Sequence, residues 1–156
     1  MALNESELIQ KEITLRNVRL TSEVLETRRA SIRWLALSLG IINPGESRLS
    51  SLAVLDALVH FQFVRNMDPD VKTMVEYIGA NWEPINEKTL RYHLLRMKRM
   101  GIIENEQGTF YFKKPSVGDR FDASAWARGL FESDYKDISG KVGEVIDRIK
   151  EAGTRM

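Results

Sequence analysis

Apolar residues recur at heptad-like spacing from Glu5 to Leu39, a stretch without proline or glycine. The recurring positions are Leu8, Leu15, Val18, Leu25, Ile32 and Leu39, with interruptions at Lys11, Ser22 and Arg29. This spacing predicts one long helix, which would span roughly 50 Å if unbroken. So long a helix cannot bury its whole stripe against its own chain, and we expect a partner helix from a second copy. Two shorter helices packed within one chain are the alternative.

Two further helices are predicted after the turn Asn43–Gly45. The stretch SSLAVLDALVHFQFVRNM is apolar around most of its circumference, which predicts a largely buried helix with Ser50 or Ser51 as N-cap. The next helix is predicted to have Asp68 as its N-cap, to continue with Pro69 at its first position and to end at Gly79. The one-sided apolar stripe of this helix consists of Val71, Met74, Val75 and Ile78.

The hydrophobic period changes from helical to two in GIIENEQGTFYFKKP, which predicts a β-hairpin. Gly101 ends the preceding helix, Ile102 and Ile103 begin the first strand, and NEQG supplies the turn. Alternation along the second strand sends Phe110 and Phe112 to one side. The opposite side receives Thr109, Tyr111 and Lys113.

The tail predicts two short helices that must pack on something. Asp122 caps the first, which contains Trp126, Leu130 and Phe131. The second begins at about Ile138, and its apolar stripe consists of Val142, Val145, Ile146 and Ile149.

Composition indicates a soluble globular protein, because 43% of the 156 residues are hydrophobic and 29% are charged. No apolar run approaches the roughly 20 residues of a membrane-spanning helix, and the N-terminus lacks the pattern of a secretory signal. The absence of cysteine excludes disulfides and thiolate sites. We therefore expect a cytoplasmic protein that does not enter a membrane.

The formal net charge is only +1, but basic residues are concentrated in one predicted helix, residues 86–100, which Asn86 can cap. This helix has one acid, Glu87, against five bases: Lys88, Arg91, Arg96, Lys98 and Arg99. On a helical wheel the apolar face consists of Leu90, Leu94 and Met97, flanked by His93 and Met100. The opposite face consists of Lys88, Arg91, Tyr92 and Arg99, with Arg96 and Lys98 at its edges and Leu95 in its middle. The pattern predicts a helix that is anchored by one face and presents the other to an anionic partner.

Residues 50–114 resemble the winged helix–turn–helix domain of bacterial and archaeal transcription regulators. The closest match is INEKTLRYHLLRMKRMGII, with its capping Asn86, the pair His93-Leu94, the late apolar Met97 and the run Gly101–Ile103. The hairpin would then be the wing. The sequence departs from the family at ANWEP, which lengthens the turn before the basic helix, and Trp82 is expected to pack back and fix this turn.

The resemblance implies a mainly α fold with a small β-hairpin, in which N- and C-terminal helices flank a winged helix–turn–helix core. We divide the chain into three segments. Residues 1–45 would be the long dimerisation helix, residues 46–115 the winged helix–turn–helix domain, and residues 116–156 a helical extension.

The function that the resemblance implies is sequence-specific binding of double-stranded DNA by a homodimeric transcription regulator. Helix 86–100 would enter the major groove, and the wing, residues 102–114, would lie on the backbone. The family's contact positions correspond to Lys88, Thr89, Arg91, Tyr92 and Arg96; the wheel adds Arg99, and the end of the wing adds Lys113 and Lys114. A winged-helix protein-interaction module in a larger assembly, without direct DNA contact, is the alternative.

No enzyme motif emerges from the sequence. His60 and His93 lie on different predicted helices without metal-ligand spacing, and SGKVG lacks the remaining residues of a phosphate-binding loop. The tail aromatics, Phe121, Trp126, Phe131 and Tyr135, have the spacing of core packing. We therefore predict no catalytic residue, cofactor, metal site or small-molecule effector.

Overall fold

One helix, Ser50–Val59 (α3), lies at the centre of the structure, and every residue from Ser51 to Leu58 is buried. The structure is a computed structural model that describes residues 4–153. The central position follows from the sequence, because a helix that is apolar around its circumference must be covered on all sides. A π-helical turn, His60–Val64, continues it. The prediction of a largely buried helix here is confirmed.

The other helices are short, apart from the last one. They are α1 (Glu5–Leu8), α2 (Arg28–Ser38), α4 (Val71–Asn81), α5 (Glu87–Arg99), α6 (Ala123–Gly129) and α7 (Glu132–Ala152). The two strands are β1 (Ile103–Glu106) and β2 (Thr109–Phe112). Helices α2, α4 and α5 all pack against α3. The predicted class, mainly helical with a small antiparallel hairpin, is confirmed.

The hairpin turn is shorter than the predicted NEQG, because Asn105 and Glu106 belong to β1 and only Gln107 and Gly108 form the turn. Gln107 and Gly108 both have positive φ, 51° and 81°, as the twist of a tight hairpin requires. Its register pairs Ile103 with Phe112 and Glu106 with Thr109. The hairpin is also tied to the start of α4, because the backbone N–H of Phe110 donates to Pro69 O at 2.9 Å.

Tyr111, on the face of β2 opposite Phe110 and Phe112, is buried as well. It is only 6% exposed, because Arg120 and Lys114 lie over its ring at 5.5 and 5.0 Å from the ring centroid. Its neighbour Phe112 is buried on the other side. Both faces of β2 are therefore covered.

The predicted continuous helix over 5–39 is wrong. Helix α1 ends at Leu8, no helix or strand forms over 9–20, and α2 begins only after its N-cap Thr27. The extended segment instead pairs with the end of α2: Arg16 N–H donates to Ser38 O at 2.7 Å, and the Ser38 hydroxyl donates back to Arg16 O at 2.9 Å. These bonds satisfy groups at a helix end that a continuous helix would leave without partners. Dimerisation through a long N-terminal helix loses its basis.

Three predicted helix boundaries in the middle of the chain are also wrong. Asp70, rather than Asp68, caps α4, because both carboxylate oxygens of Asp68 accept from the guanidinium of Arg120. Gly79 lies inside α4, which continues to Asn81. Neither candidate serine caps α3; its N-cap residue is Leu49, which makes no capping side-chain bond.

The tail agrees with the prediction at its start and differs further on. Asp122 caps α6, whose Trp126 is buried, but α6 ends at Gly129, before Leu130 and Phe131. Phe131 adopts a left-handed conformation that separates α6 from α7, and α7 begins at Glu132 rather than near Ile138. The apolar stripe of α7 is largely exposed, and only near its start does it border other residues described: Ile138 lines a groove with Leu8 and Ile9.

One hydrophobic cluster joins the three predicted segments. Ile32 and Ala36 of α2, and Trp126 near the C-terminus, share it with α3, α4, α5 and the hairpin.

None of the helices described between residues 4 and 153 is long and apolar enough to cross a membrane.

Candidate nucleic-acid interface

Helix α5 begins and ends where the sequence predicts. Asn86 Oδ1 accepts a hydrogen bond of 2.7 Å from Thr89 N–H, which satisfies a free donor in the first turn. Gly101 follows the last turn with φ +81°, a conformation that favours glycine. Glu87 lies in the first turn and Arg96, Lys98 and Arg99 in the last, so the charges complement the helix dipole.

The inner face of α5 fixes its orientation. Leu90, Leu94 and Met97 are fully buried, as the wheel predicts. His93 is buried beside them, and its Nε2 is 2.9 Å from the hydroxyl of Ser50 at the start of α3. Burial, with the nearby charges of Arg96 and Arg48, lowers the pKa of His93, which favours a neutral ring in this packing role.

The outer face of α5 is open to solvent, and neither terminal segment covers it with any residue between 4 and 153. Tyr92 is 55% exposed and Leu95 is 47% exposed, and the cations beside them are exposed as well. Of the eight predicted contact residues, Lys88, Arg91, Tyr92, Arg99 and Lys114 are exposed, and Thr89, Arg96 and Lys113 are half-buried. The wheel therefore identified the exposed face of the helix correctly.

Arg91 is engaged by the one acid of the helix. Its Nε is 2.9 Å from Glu87 Oε1, one turn earlier, and both side chains are more than half exposed. Ion pairs of this exposed i,i+4 type contribute about 0.3–0.5 kcal/mol, so a phosphate can displace the carboxylate at little cost. Arg91 is thus a cation with a weak internal partner.

Arg96 is held more firmly than the wheel suggests. Its Nη1 donates to Ile41 O at 2.6 Å, in the connection between α2 and α3, and the side chain is half-buried. The bond therefore holds the last turns of α5 against that connection. Arg96 is a structural residue in this conformation, whereas the sequence predicts a free contact.

Three exposed cations on α5 are without ion pairs. Lys88, Lys98 and Arg99 make no salt bridge to a carboxylate within residues 4–153. They lie along the outer surface of a helix whose opposite face is fixed in the core. Unpaired cations of this kind attract phosphate over a distance set by the ionic strength.

The hairpin has its two predicted contact lysines at its base rather than at its tip. Lys113 N–H donates to Ile102 O, and Lys113 and Lys114 line a shallow groove of about 330 Å³ with the start of α7. The first strand instead contains Glu104 and Glu106. The tip lies beside Arg91, where both border a groove of about 630 Å³.

Comparison with family models, curated proteins and solved structures gives no match to this chain.

Two further cations border the outer face of α5. The sequence analysis missed them because it counted charges only within residues 86–100. Lys72, in the first turn of α4, lines the groove that Arg91 borders. Arg48 lies in the connection before α3 and lines a second groove with Tyr92 and His93. Both are exposed. The sequence had no signal for Arg48, because only the packing of the α2–α3 connection against α5 brings it there.

The lengthened turn before α5 is fixed from inside the molecule, as predicted for Trp82. Its indole is buried, and Nε1 donates to Asp56 Oδ2 at 2.8 Å, while Arg29 lies 3.9 Å above its ring. The turn therefore has a defined path, and the position of Asn86 and of α5 is defined with it.

Proposed function

We propose that this protein binds double-stranded DNA sequence-specifically as a homodimeric transcription regulator, with α5 in the major groove. The observation that carries the proposal is the two-faced environment of α5. Its apolar side is buried, and its opposite side exposes Lys88, Lys98 and Arg99, none of which forms a salt bridge with a carboxylate among residues 4–153. A helix anchored in this way can enter the major groove, which admits one α-helix.

The order of elements supports a winged helix–turn–helix assignment for residues 50–114. Helices α3, α4 and α5 pack on one another and lead directly into the hairpin β1–β2. The isolated bridge between Asp70 and Thr109 joins the hairpin to the segment before α4. A helix pair, a basic third helix and a hairpin attached beside them are the parts that this proposal requires.

The side chains divide into two roles under this proposal. Arg91 and Arg99 can donate to guanine acceptors, and Lys88, Thr89 and Tyr92 can hold phosphates. Lys113 and Lys114 lie at the base of the hairpin. They are therefore candidates for contacts with the DNA phosphate backbone beyond the C-terminal end of α5. Arg96 contributes by holding α5 in place rather than by direct contact.

A protein-interaction module is the second candidate, and a specific observation favours it. Tyr92 and Leu95 are exposed side by side in the middle of the same face, and Arg91 is partly neutralised by Glu87. An aromatic and an aliphatic residue with a charged surround are typical of a protein interface. A protein partner would use this centre, whereas DNA would use the cations around it.

Charge reversal on α5 separates the two candidates. We expect Lys88→Glu with Arg99→Glu to abolish binding to random-sequence duplexes, measured by fluorescence anisotropy at low salt. The matched control is Arg148→Glu with Lys150→Glu, which makes the same charge change on exposed positions of α7 away from the groove that Lys113 and Lys114 line. Binding of the wild-type protein should weaken steeply with salt, since each phosphate contact contributes about 0.9 to the logarithmic slope.

Selection from random duplexes then tests sequence specificity. Enrichment of a common motif supports the proposal, and an inverted repeat supports a two-fold dimer. Duplex binding that neither variant weakens, or no binding at low salt, would contradict the proposal and favour the protein-interaction module.

A further inference from the structure

The groove beside Arg48 lies between the start of α3 and the outer face of α5. Its volume is about 460 Å³. One wall consists of the connection 45–48 and Ser51 of α3, and the other consists of Tyr92, His93 and Arg96 of α5. We call it the α3–α5 groove. Most of the side chains that line it are polar or charged, so it differs from an apolar ligand pocket.

The first turn of α3, a helix of ten residues, has no capping acceptor at this groove. Its N-cap residue, Leu49, makes no side-chain bond, and the first backbone bond runs from Ala53 N–H to Leu49 O at 2.9 Å. The N–H groups of Ser50, Ser51 and Leu52 precede that bond and have no acceptor among residues 4–153. Free donors and the helix dipole at such an end both favour an anion.

Two buried polar side chains of the groove have hydrogen-bonding capacity that the described chain does not use. Ser51 is only 4% exposed, and its hydroxyl makes no hydrogen bond to residues 4–153. His93 is 9% exposed, and its Nδ1 has no hydrogen-bond partner within the same residues. When Nε2 accepts from the Ser50 hydroxyl, Nδ1 of the neutral ring is a donor. Buried polar groups are rarely left without partners, so these two indicate a ligand with several acceptor atoms.

The charges around the groove favour an anion as that ligand. Arg48 is exposed and forms no salt bridge with a carboxylate among residues 4–153. Burial lowers the pKa of His93, and the charges of Arg96 and Arg48 lower it further, so both guanidinium groups lie near this ring. Glu46 is the one acid among the described residues that line the groove, and its Oε1 accepts from Asn43 at 3.0 Å. Two cations against one engaged acid leave the groove positive.

We propose that the α3–α5 groove binds a phosphate group. The tetrahedral oxygens can accept from the Ser51 hydroxyl and the first N–H groups of α3 on one side, and from the guanidinium of Arg48 on the other. Arg96 adds positive charge while Ile41 O holds it in place. A carboxylate has two oxygens in one plane and cannot engage donors from as many directions, so the arrangement favours phosphate.

The phosphate belongs to the DNA backbone, and this assignment of its source rests on the proposed function. Tyr92 lies both on the outer face of α5 and at the groove. A duplex whose bases meet α5 would therefore have its backbone near this groove, where a phosphate contact would fix its register. A small phosphorylated compound has the same chemical group and is the other source.

Titration of the full chain with inorganic phosphate, followed by nuclear magnetic resonance, tests the site. At constant pH and ionic strength, the amide signals of Ser51 and Leu52 should shift saturably, with a dissociation constant in the low millimolar range. Acetate should bind about tenfold more weakly, because it has fewer acceptor oxygens. No shift up to about 50 millimolar phosphate would overturn the site, and an equal response to acetate would overturn its assignment to phosphate.

Two substitutions test the donors. Ser51→Ala should weaken phosphate binding about fivefold through the loss of one hydrogen bond, and Arg48→Ala about tenfold. Arg19→Ala is the matched control, because Arg19 is an exposed arginine that does not line the groove. Circular dichroism checks the fold, and the exposed position of Arg48 keeps the test usable if Ser51→Ala is unstable. Wild-type affinity for phosphate in folded Arg48→Ala would contradict the inference.

Duplex binding then identifies the source of the phosphate. If DNA supplies it, Arg48→Ala should reduce the slope of log affinity against log salt by about 0.9, and Arg19→Ala should leave the slope unchanged. An unchanged slope in Arg48→Ala, with inorganic phosphate still bound by the wild-type chain, would overturn the DNA source and assign the site to a small phosphorylated compound.

Failure of the site and failure of DNA binding are distinguishable. A wild-type chain that binds inorganic phosphate at Ser51 but binds no duplex would contradict only the proposed function. A chain that binds duplex DNA but whose Ser51 signal does not respond to phosphate would contradict only the inference of this groove.

Discussion

The indole of Trp82 donates a hydrogen bond of 2.8 Å to the carboxylate of Asp56, which is 1% exposed in the centre of α3. The same carboxylate accepts from Arg28 at 2.6 Å and from the Tyr77 hydroxyl at 2.9 Å. One buried acid therefore joins α2, α3, α4 and the turn before α5. The position of the candidate DNA-binding helix depends on this polar contact in the core.

Asp56→Ala should destabilise the protein by about 3 kcal/mol, because it leaves buried donors without an acceptor and removes the partner of Arg28. Urea unfolding followed by circular dichroism measures the change. Asp147→Ala, an exposed acid of α7, is the control and should change stability by less than about 0.5 kcal/mol. Equal effects of the two substitutions would show that the Asp56 contacts contribute little.

Alkaline pH should weaken the hydrogen bond from the Tyr77 hydroxyl to the Asp56 carboxylate. Burial, and then the hydrogen bond to Asp56, raises the pKa of Tyr77 from 10 to about 12. The raised pKa favours the folded state below pH 10, and this contribution is lost as the pH rises from 10 to 12. Stability measured across that range should fall, and Tyr77→Phe should make the fall shallower.

The control for this titration is Tyr92→Phe, which removes an exposed hydroxyl on α5. It should keep the full alkaline loss of stability. If Tyr77→Phe and Tyr92→Phe have the same profile, Tyr77 does not contribute to the pH dependence.

Glu87→Gln should increase affinity for duplex DNA by about three- to tenfold at low salt, because it removes the only acid of α5 and releases Arg91. Anisotropy titrations at two salt concentrations measure the gain, which should shrink as salt rises. Glu144→Gln, which opens a similar i,i+4 pair on α7, should leave affinity unchanged. A gain of the same size in this control would show that the higher affinity comes from the change in net charge and not from the release of Arg91.

Arg96 and Arg99 should respond differently to truncation, although both lie in the last turn of the same helix. Arg96→Ala should lower stability by about 1–2 kcal/mol through the lost bond to Ile41 O. Arg99→Ala should leave stability unchanged and weaken DNA binding more than tenfold. Unfolding curves and anisotropy on both variants give the comparison. Equal losses of stability would contradict the structural role of Arg96.

Arg16 should stabilise the N-terminal segment. Its guanidinium donates to Leu37 O at 3.1 Å and to Ile42 O at 2.9 Å, so that Arg16→Ala should cost about 2 kcal/mol. Hydrogen exchange should rise over residues 9–20 in this variant. Arg19→Ala, at an exposed side chain of the same segment, is the control and should change neither quantity.

The elements that the sequence predicts well are those set by local chemistry. Helix α5 has a capping Asn86, an apolar stripe and a terminal Gly101, and each feature acts within a few residues of its own position. The tight hairpin likewise follows from the alternation of its strands and from Gly108. The exposed face of α5 was predictable for the same reason.

The errors arise where distant residues compete for the same group. The heptad spacing of the N-terminal segment favours a helix, but Arg16 bonds to the end of α2, which follows more than twenty residues later. Asp68 loses its capping role to Arg120, and Arg96 is held by Ile41, 55 residues away. A wheel gives the direction of a side chain but not its partner.

The hairpin is attached to neighbouring elements at two points: Phe110 N–H donates to Pro69 O near its tip, and Phe112 N–H donates to Gln62 Oε1 at 3.3 Å towards its base. It cannot swing as a hinged flap without breaking one of these attachments. The width between it and α5 is therefore preset in the free protein, and a ligand that bridges the two would incur little loss of chain entropy on docking.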